Sequence, residues 1–214
     1  ASGVEHVLAG ADCGFAYRSS RFRAGPERFI VLEVVYRLRP RGEPTVAYGE
    51  LRRALAVRAA APDLGTVREA VLELRRAKSM VLDPDDPNRR SAGSFFLNPL
   101  VEVGVASAVE VRARACGALA AGESMPRFAA GSGLEKLSAA WLIERAGFGR
   151  GLRRGAVGLS SRHALALVHH GGGSAAELVA LARDIRDGVR NLFGLNLEPE
   201  PAFLGFGTSQ PLER

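Results

Sequence analysis

Residues 164–206 read ALALVHHGGGSAAELVALARDIRDGVRNLFGLNLEPEPAFLGF, and this stretch settles the fold class. Ala164 to Val168 is a short apolar run of strand length, and Gly171-Gly172-Gly173 then turns the chain. Ser174 and Glu177 stand at capping-box spacing, where each side chain reaches the other's backbone N–H. Leu178, Leu181, Ala182, Ile185, Val189 and Leu192 recur at helical spacing up to Phe193, and Gly194 is a natural helix stop. Leu197-Glu198-Pro199-Glu200-Pro201 leads into a further apolar run, Ala202 to Phe206, which reads as a last strand. Strand, long helix and strand in one run predict an α+β chain.

The same reading extends toward the N-terminus. Leu134 to Ala146 has apolar positions at Leu137, Trp141 and Leu142 that suit one amphipathic helix, punctuated by Gly147, Gly149 and Gly151. Ala121 to Gly133 reads as loop, and Val105 to Leu119 as a helix. Ser91 to Pro99, SAGSFFLNP, follows a Pro/Asp/Asn loop from Asp83 to Arg90. Thr66-Val67-Arg68-Glu69 has capping-box spacing and opens a helix to about Lys78, with Val67, Val71, Leu74 and Ala77 on one face. Gly49 to Val57 is a shorter helix. Phe29 to Arg39, rich in Ile, Val and Tyr, is a strand, and Val4 to Leu8 a short one. The segment from Cys13 to Pro26 is a loop dense in polar and aromatic residues. No internal repeat is visible.

Composition narrows the function classes. The chain has 214 residues, 47% apolar and 24% charged, enough to bury a sizeable core. The longest apolar run, Phe29 to Tyr36 around Glu33, is far short of the ~18 residues a membrane helix needs. No signal peptide is visible, and two cysteines, Cys13 and Cys116, are too few for a disulfide framework. They read as packing residues of a cytoplasmic protein. The chain opens at Ala1 in mid-phrase, which suggests a fragment or a processed product. Basic residues number 29 against 23 acidic ones. Only Lys78 and Lys136 are lysines; the rest are Arg, scattered and mostly beside acids. A solvated surface explains this charge better than a nucleic-acid patch.

Three residues stand out for chemistry. Arg18 lies in a loop between Tyr17 and two serines, and its planar fork suits a carboxylate or phosphate. Ser94 follows a flexible glycine and precedes two phenylalanines, which can hold a hydroxyl in a dry pocket. Glu200 sits between two prolines, so its carboxylate can be aimed. For each, an ordinary surface or turn role is the commoner alternative. His163, His169 and His170 lack zincin spacing, and no G-x-S-x-G elbow surrounds Ser94.

Five motifs in order carry a resemblance: Tyr17-Arg18-Ser19-Ser20-Arg21-Phe22-Arg23, Ala47-Tyr48-Gly49-Glu50-Leu51, Gly93-Ser94-Phe95-Phe96-Leu97-Asn98-Pro99, Lys136 to Glu144 (KLSAAWLIE), and Leu197-Glu198-Pro199-Glu200. The series resembles the UDP-N-acetylenolpyruvoylglucosamine reductase (MurB) family, in the subtype with a substrate-covering tyrosine loop. The resemblance implies an FAD enzyme that uses NADPH to reduce the enolpyruvyl ether of a UDP-sugar to UDP-N-acetylmuramate, for peptidoglycan synthesis. It implies catalytic roles for Arg18 at the substrate carboxylate, Glu200 at the same end, and Ser94 as proton donor to the α-carbon. Tyr48, Lys78, Asn98, Lys136 and Arg150 would bind substrate. No FAD-binding residue is assigned.

Four positions depart from the pattern or border it. Leu97 stands where the family often has Lys, Phe128 where Pro-x-Tyr-Pro is common, and Arg150 where Lys is frequent. His163 lies near a position that is polar in relatives. The implied fold is α+β: the second half of a two-lobed FAD-binding domain, followed by an α+β substrate-binding domain. Residues 1–83 would end the FAD domain, 84–195 would form the substrate domain, and 196–214 a returning strand and tail. The first lobe would be missing, leaving sheet edge unpaired and apolar surface exposed. The complete enzyme would be a cytoplasmic monomer with no nucleic-acid or membrane partner. The alternatives are a basic nucleic-acid-binding module and a non-catalytic remnant of the reductase.

Overall fold

The computed structural model describes residues 3–16, 19–25, 28–58, 61–206 and 211–212. The chain divides into two parts, residues 1–43 and 44–214, each with its own internal packing. In the first, a 3₁₀ turn at Gly10–Cys13 buries Cys13, and helix α1 spans Arg21–Ala24. The Ser20 side chain caps α1 by accepting the Arg23 N–H at 3.2 Å. Phe29 stands edge-on to Phe22 and lies under the guanidinium groups of Arg21 and Arg28.

Phe29 to Arg39 is not a strand, and neither is Val4 to Leu8: both lie outside every sheet. Ile30, Leu32, Val35, Tyr36 and Leu38 are exposed, with Ile30 at 88% and Val35 at 84%. The physical reason is the lack of a pairing partner. β-Branched and aromatic residues favour strands because they pack on a neighbouring strand, and without one the preference has nothing to act on. Apolar side chains are exposed here, but the expected unpaired sheet edge is not found, since the segment forms no strand.

The second part opens with helices α2 (Gly49–Ala56) and α3 (Leu64–Arg76). Leu51, Leu55 and Ala70 are buried between them, with Val46, Val67, Val71 and Leu74 packed around. The cap of α3 is Asp63, not Thr66: the Asp63 Oδ1 accepts the Thr66 N–H at 2.7 Å. That hydrogen bond is also the main reason the Asp63 carboxyl sits below its ordinary pKa. Thr66 and Glu69 both lie inside the helix, so their spacing is coincidental.

Beyond α3 come β1 (Ser91–Ser94), β2 (Leu100–Glu102), α4 (Val103–Ala115), β3 (Arg127–Ala129) and β4 (Leu134–Leu137). They are followed by α5 (Ala139–Arg145), β5 (Arg153–Arg154), β6 (Val157–Leu159), β7 (Ala166–His169) and α6 (Ala175–Phe193). The strands form two antiparallel sheets, ordered β1-β7-β6-β5 and β2-β4-β3. Helices and antiparallel sheets together make the chain α+β. Helix α6 lies on β6 and β7 and is flanked by α4 and α5. Its Leu181, Ile185, Val189 and Phe193 meet Phe96, Leu137, Leu142, Ile143 and Leu159 in one core. The full capping box at Ser174/Glu177 and the left-handed Gly194 bound α6 as the sequence indicates.

Four other expectations change. Leu134 to Ala146 is not one helix but β4 followed by α5, divided at Ser138, whose side chain accepts the Trp141 N–H at 3.3 Å. A serine cap overrides the apolar periodicity, because β4 is held between β2 and β3. The 121–133 loop contains β3, the third strand of that sheet. Ala202 to Phe206 is not a strand: Phe203 packs edge-on against Phe95, and Phe206 against Phe203. The returning chain pairs earlier, where Leu97 N–H donates to Glu198 O and Glu200 N–H to Phe95 O, each at 2.9 Å. Cys116, read as a packing residue, is exposed.

One ion network ties the layers. Arg127 of β3 donates to Glu135 of β4 at 2.8 Å and to Glu110 of α4 at 3.0 Å. Hydrogen bonds from Arg127 and Arg114 hold Glu110 below its ordinary pKa. No described helix is long and apolar enough to cross a membrane.

Candidate functional site

Ser94 ends β1, and how it gets there is local chemistry. Ser91 pairs with Val168 and Ser94 with Ala166, so β1 carries one residue more than β7 between those pairs. That is a β-bulge, and Gly93 supplies its left-handed residue at φ 82°. Phe95 and Phe96 then bury 97% or more of their surface and anchor the strand's end. The Ser94 hydroxyl is left half-buried, 3.4 Å from Nε2 of His163.

His163 lies in the turn that opens β7, where its carbonyl accepts the Ala166 N–H. A buried amide fixes this turn. Asn88, 4% exposed, accepts the Ser161 N–H at 3.0 Å, and its Nδ2 lies 3.2 Å from Ser79, Ser161 and Asp86 oxygens. Arg162 adds a bond to the Arg76 carbonyl. Together these bonds join the end of α3 to the His163 turn. Ser79 itself holds a left-handed φ of 56°, and Lys78 precedes it.

The Lys78 Nζ pairs with Glu50 of α2 at 2.5 Å. Arg150 pairs with Glu144 at 2.9 Å. The His163 pKa lies below the ordinary histidine value. Burial is the main cause, the charges of Lys78 and Arg150 add to it, and Glu144 opposes them. Of the expected set, Ser94 meets the imidazole directly, while Lys78 and Arg150 act on it through charge and are each paired with a carboxylate.

The other expected residues are placed as follows. Glu200 is exposed, and its backbone N–H bonds the carbonyl of Phe95, one residue from Ser94. Tyr48 is exposed at the N-terminus of α2, two residues before Glu50. Asn98 lies between β1 and β2, and its Oδ1 accepts the Ala139 N–H at 3.0 Å. That bond leaves the amide nitrogen as the end able to donate to a ligand. Lys136 lies on the other sheet, between Leu100 and Phe128, with its Nζ 5.6 Å from the Phe128 ring centre. Arg18 falls outside the described residues.

Asn88 escaped the sequence reading because a lone Asn in a Pro/Asp loop carries no motif. His163 carried only its neighbourhood to a polar family position. Its link to Ser94 spans 69 residues, and no spacing rule reaches that far.

A dinucleotide cofactor would need a pyrophosphate cradle. The glycine run 171–173 does not supply one: the N–H groups of Gly171 and Gly173 point at the ring nitrogens of His169, at 3.2 and 3.1 Å. The capping box occupies the N-terminus of α6 that follows. The 171–173 turn and the start of α6 therefore do not cradle a pyrophosphate.

An α+β domain with a hydroxyl beside an imidazole is equipped to move one proton. The family follows from comparison with known proteins. Residues 85–204 match the family model "UDP-N-acetylenolpyruvoylglucosamine reductase, C-terminal domain". The chain is 46% identical to the UDP-N-acetylenolpyruvoylglucosamine reductase of Thermobifida fusca, over 93% of this chain and 56% of the relative. It is 44% identical to that of Streptomyces coelicolor, over 95% and 54%, and 43% identical to that of Cutibacterium acnes, over 94% and 51%. The chain belongs to the UDP-N-acetylenolpyruvoylglucosamine reductase family. It spans about half the length of the curated relatives it matches.

Proposed function

We propose that this chain forms the substrate-handling part of a reductase that converts UDP-N-acetylenolpyruvoylglucosamine to UDP-N-acetylmuramate in peptidoglycan precursor synthesis. The observation that carries the reading is the Ser94 hydroxyl, presented by a bulge beside His163. FAD, reduced by NADPH, would supply the hydride for the β-carbon of the enolpyruvyl ether. What remains for this chain is charge and one proton. Negative charge builds toward the α-carbon and carboxylate, where Arg18 and Glu200 would act. Ser94 would then pass its hydroxyl proton to the α-carbon; a carbanion-like centre is basic enough to take it.

Lys78, Arg150, Asn98, Lys136 and Tyr48 would hold the diphosphate and sugar. Residues 1–83 would belong to an FAD-binding domain, 84–195 to the substrate domain, and 196–214 would return toward the flavin. The two-lobed FAD arrangement is part of this proposal. The ion pairs argue against a nucleic-acid patch: Arg58, Arg114, Arg127, Arg145, Arg154 and Arg190, and likewise Lys78 and Arg150, are each paired with an acid.

The test joins this chain to the flavin-binding half of the Thermobifida fusca relative. The expected product is a yellow protein that oxidises NADPH only when the enolpyruvyl substrate is present. A yellow protein that leaves that substrate unreduced overturns the reading.

A further inference from the structure

The described surface offers several candidates: the apolar cleft between α2 and α3, the His169 glycine loop, the Phe128–Lys136 row and the Ser94–His163 pair. Only the last joins two reactive groups with a defined electrostatic setting. We propose that His163 is a positioning residue for Ser94, donating from Nε2–H to the hydroxyl oxygen and so aiming the hydroxyl's own proton outward, at the ligand.

The geometry supplies the contact, Oγ to Nε2 at 3.4 Å, long for a hydrogen bond but of the kind that shortens when a ligand closes the site. The tautomer of the ring sets its direction. A neutral imidazole carries one N–H. With a bare Nε2, the hydroxyl would give its hydrogen to the ring, and the proton would point away from any acceptor. With Nε2–H, the oxygen accepts from the ring and its own proton stays available. As that proton leaves, charge grows on Oγ. The ring N–H stabilises it at close range. The groups that act on His163 are Lys78 from the end of α3, and Arg150 and Glu144 from α5 and the turn after it. Burial first, and the charges of Lys78 and Arg150 after it, favour the neutral ring over the imidazolium.

In the proposed reaction the proton balance is simple. Ser94 Oγ–H breaks, the α-carbon–hydrogen bond forms, and the alkoxide oxygen is held by His163 Nε2–H until solvent returns a proton. The role in catalysis rests on the reductase reading, whereas the hydrogen bond does not.

Nitrogen-15 NMR of the full chain tests it. The chain has four histidines, His6, His163, His169 and His170, and loss of a signal in His163→Gln identifies the one concerned. The expected result is an Nε2–H tautomer at neutral pH, with an Nε2 resonance that shifts in Ser94→Ala. A predominant Nδ1–H tautomer, or an Nε2 resonance indifferent to Ser94→Ala, overturns the proposal. In the flavin-joined protein, His163→Gln, whose amide can still donate, should keep most of kcat. His163→Leu should lower kcat by about tenfold or more with KM little changed. Equal loss in Gln and Leu variants would count against positioning. If the joined protein reduces no enolpyruvyl substrate, the reductase reading falls, and the NMR result still decides the Ser94–His163 bond.

Discussion

At the scale of single residues, Ser94 separates binding from chemistry. Its side chain holds no part of the core, so Ser94→Ala should fold normally. In the flavin-joined protein it should lower kcat by about 10²- to 10⁴-fold and leave KM near its starting value. Steady-state kinetics would show this, and unchanged kcat would remove Ser94 from the mechanism. His163 gives a second prediction through pH. Its folded pKa is depressed, so the unfolded chain binds the proton more readily. Stability should therefore be full above the ordinary histidine value of about 6.5 and fall as the pH drops below it. His170, depressed by burial and by Arg153 and His169, adds to the same loss. Urea midpoints at pH 7.5 and 5.5 should differ less in His163→Gln than in the parent. Of these residues, Ser94 was legible because a family motif frames it. Asn88, which fixes the His163 turn, was not, because its partners Ser79 and Ser161 come together only in the fold.

At the scale of elements, local chemistry was legible wherever the cap and the period agreed. In α6 the capping box, the apolar stripe and the terminal glycine all point the same way, and the helix follows them. In 134–146 they conflict: the apolar spacing suits a helix, but Leu134–Leu137 is taken up as the central strand of a sheet. Helix α3 shows how such competition can be measured. Its cap is Asp63, so Asp63→Ala should lower the thermal midpoint clearly, while Thr66→Ala should lower it much less. Equal losses in thermal denaturation would restore Thr66 as the cap. The strand β6 offers a packing test. A Cβ on Gly158 would lie 2.4 Å from the Leu152 carbonyl oxygen, a backbone atom that cannot swing aside. Gly158→Ala should therefore destabilise by about 1–3 kcal/mol, read from the urea midpoint. Burial alone would not mark this glycine out, since the clash depends on how closely the 152–153 turn approaches β6.

At the scale of the whole molecule, the apolar stretch 30–38 is where the sequence reading and the structure differ most usefully. The residue types are those of a buried strand, yet Ile30, Leu32, Val35, Tyr36 and Leu38 all face solvent. A side chain that buries nothing contributes almost nothing to folding; substitutions at such sites stay within about 0.5 kcal/mol. The triple substitution Ile30→Thr, Leu32→Thr, Val35→Thr should accordingly leave the thermal midpoint of this chain unchanged. It should still change behaviour in solution, because contiguous exposed apolar residues with strand preference drive association. Light scattering against concentration should show aggregation in the parent and less in the variant. An early-unfolding variant would mean that the stretch packs into a core after all. A stable variant that aggregates as before would move the source of association elsewhere on the surface. The comparison is sharp because the hydroxyl keeps the β-branched shape of Val and Ile, so strand preference is held while apolar surface is lost.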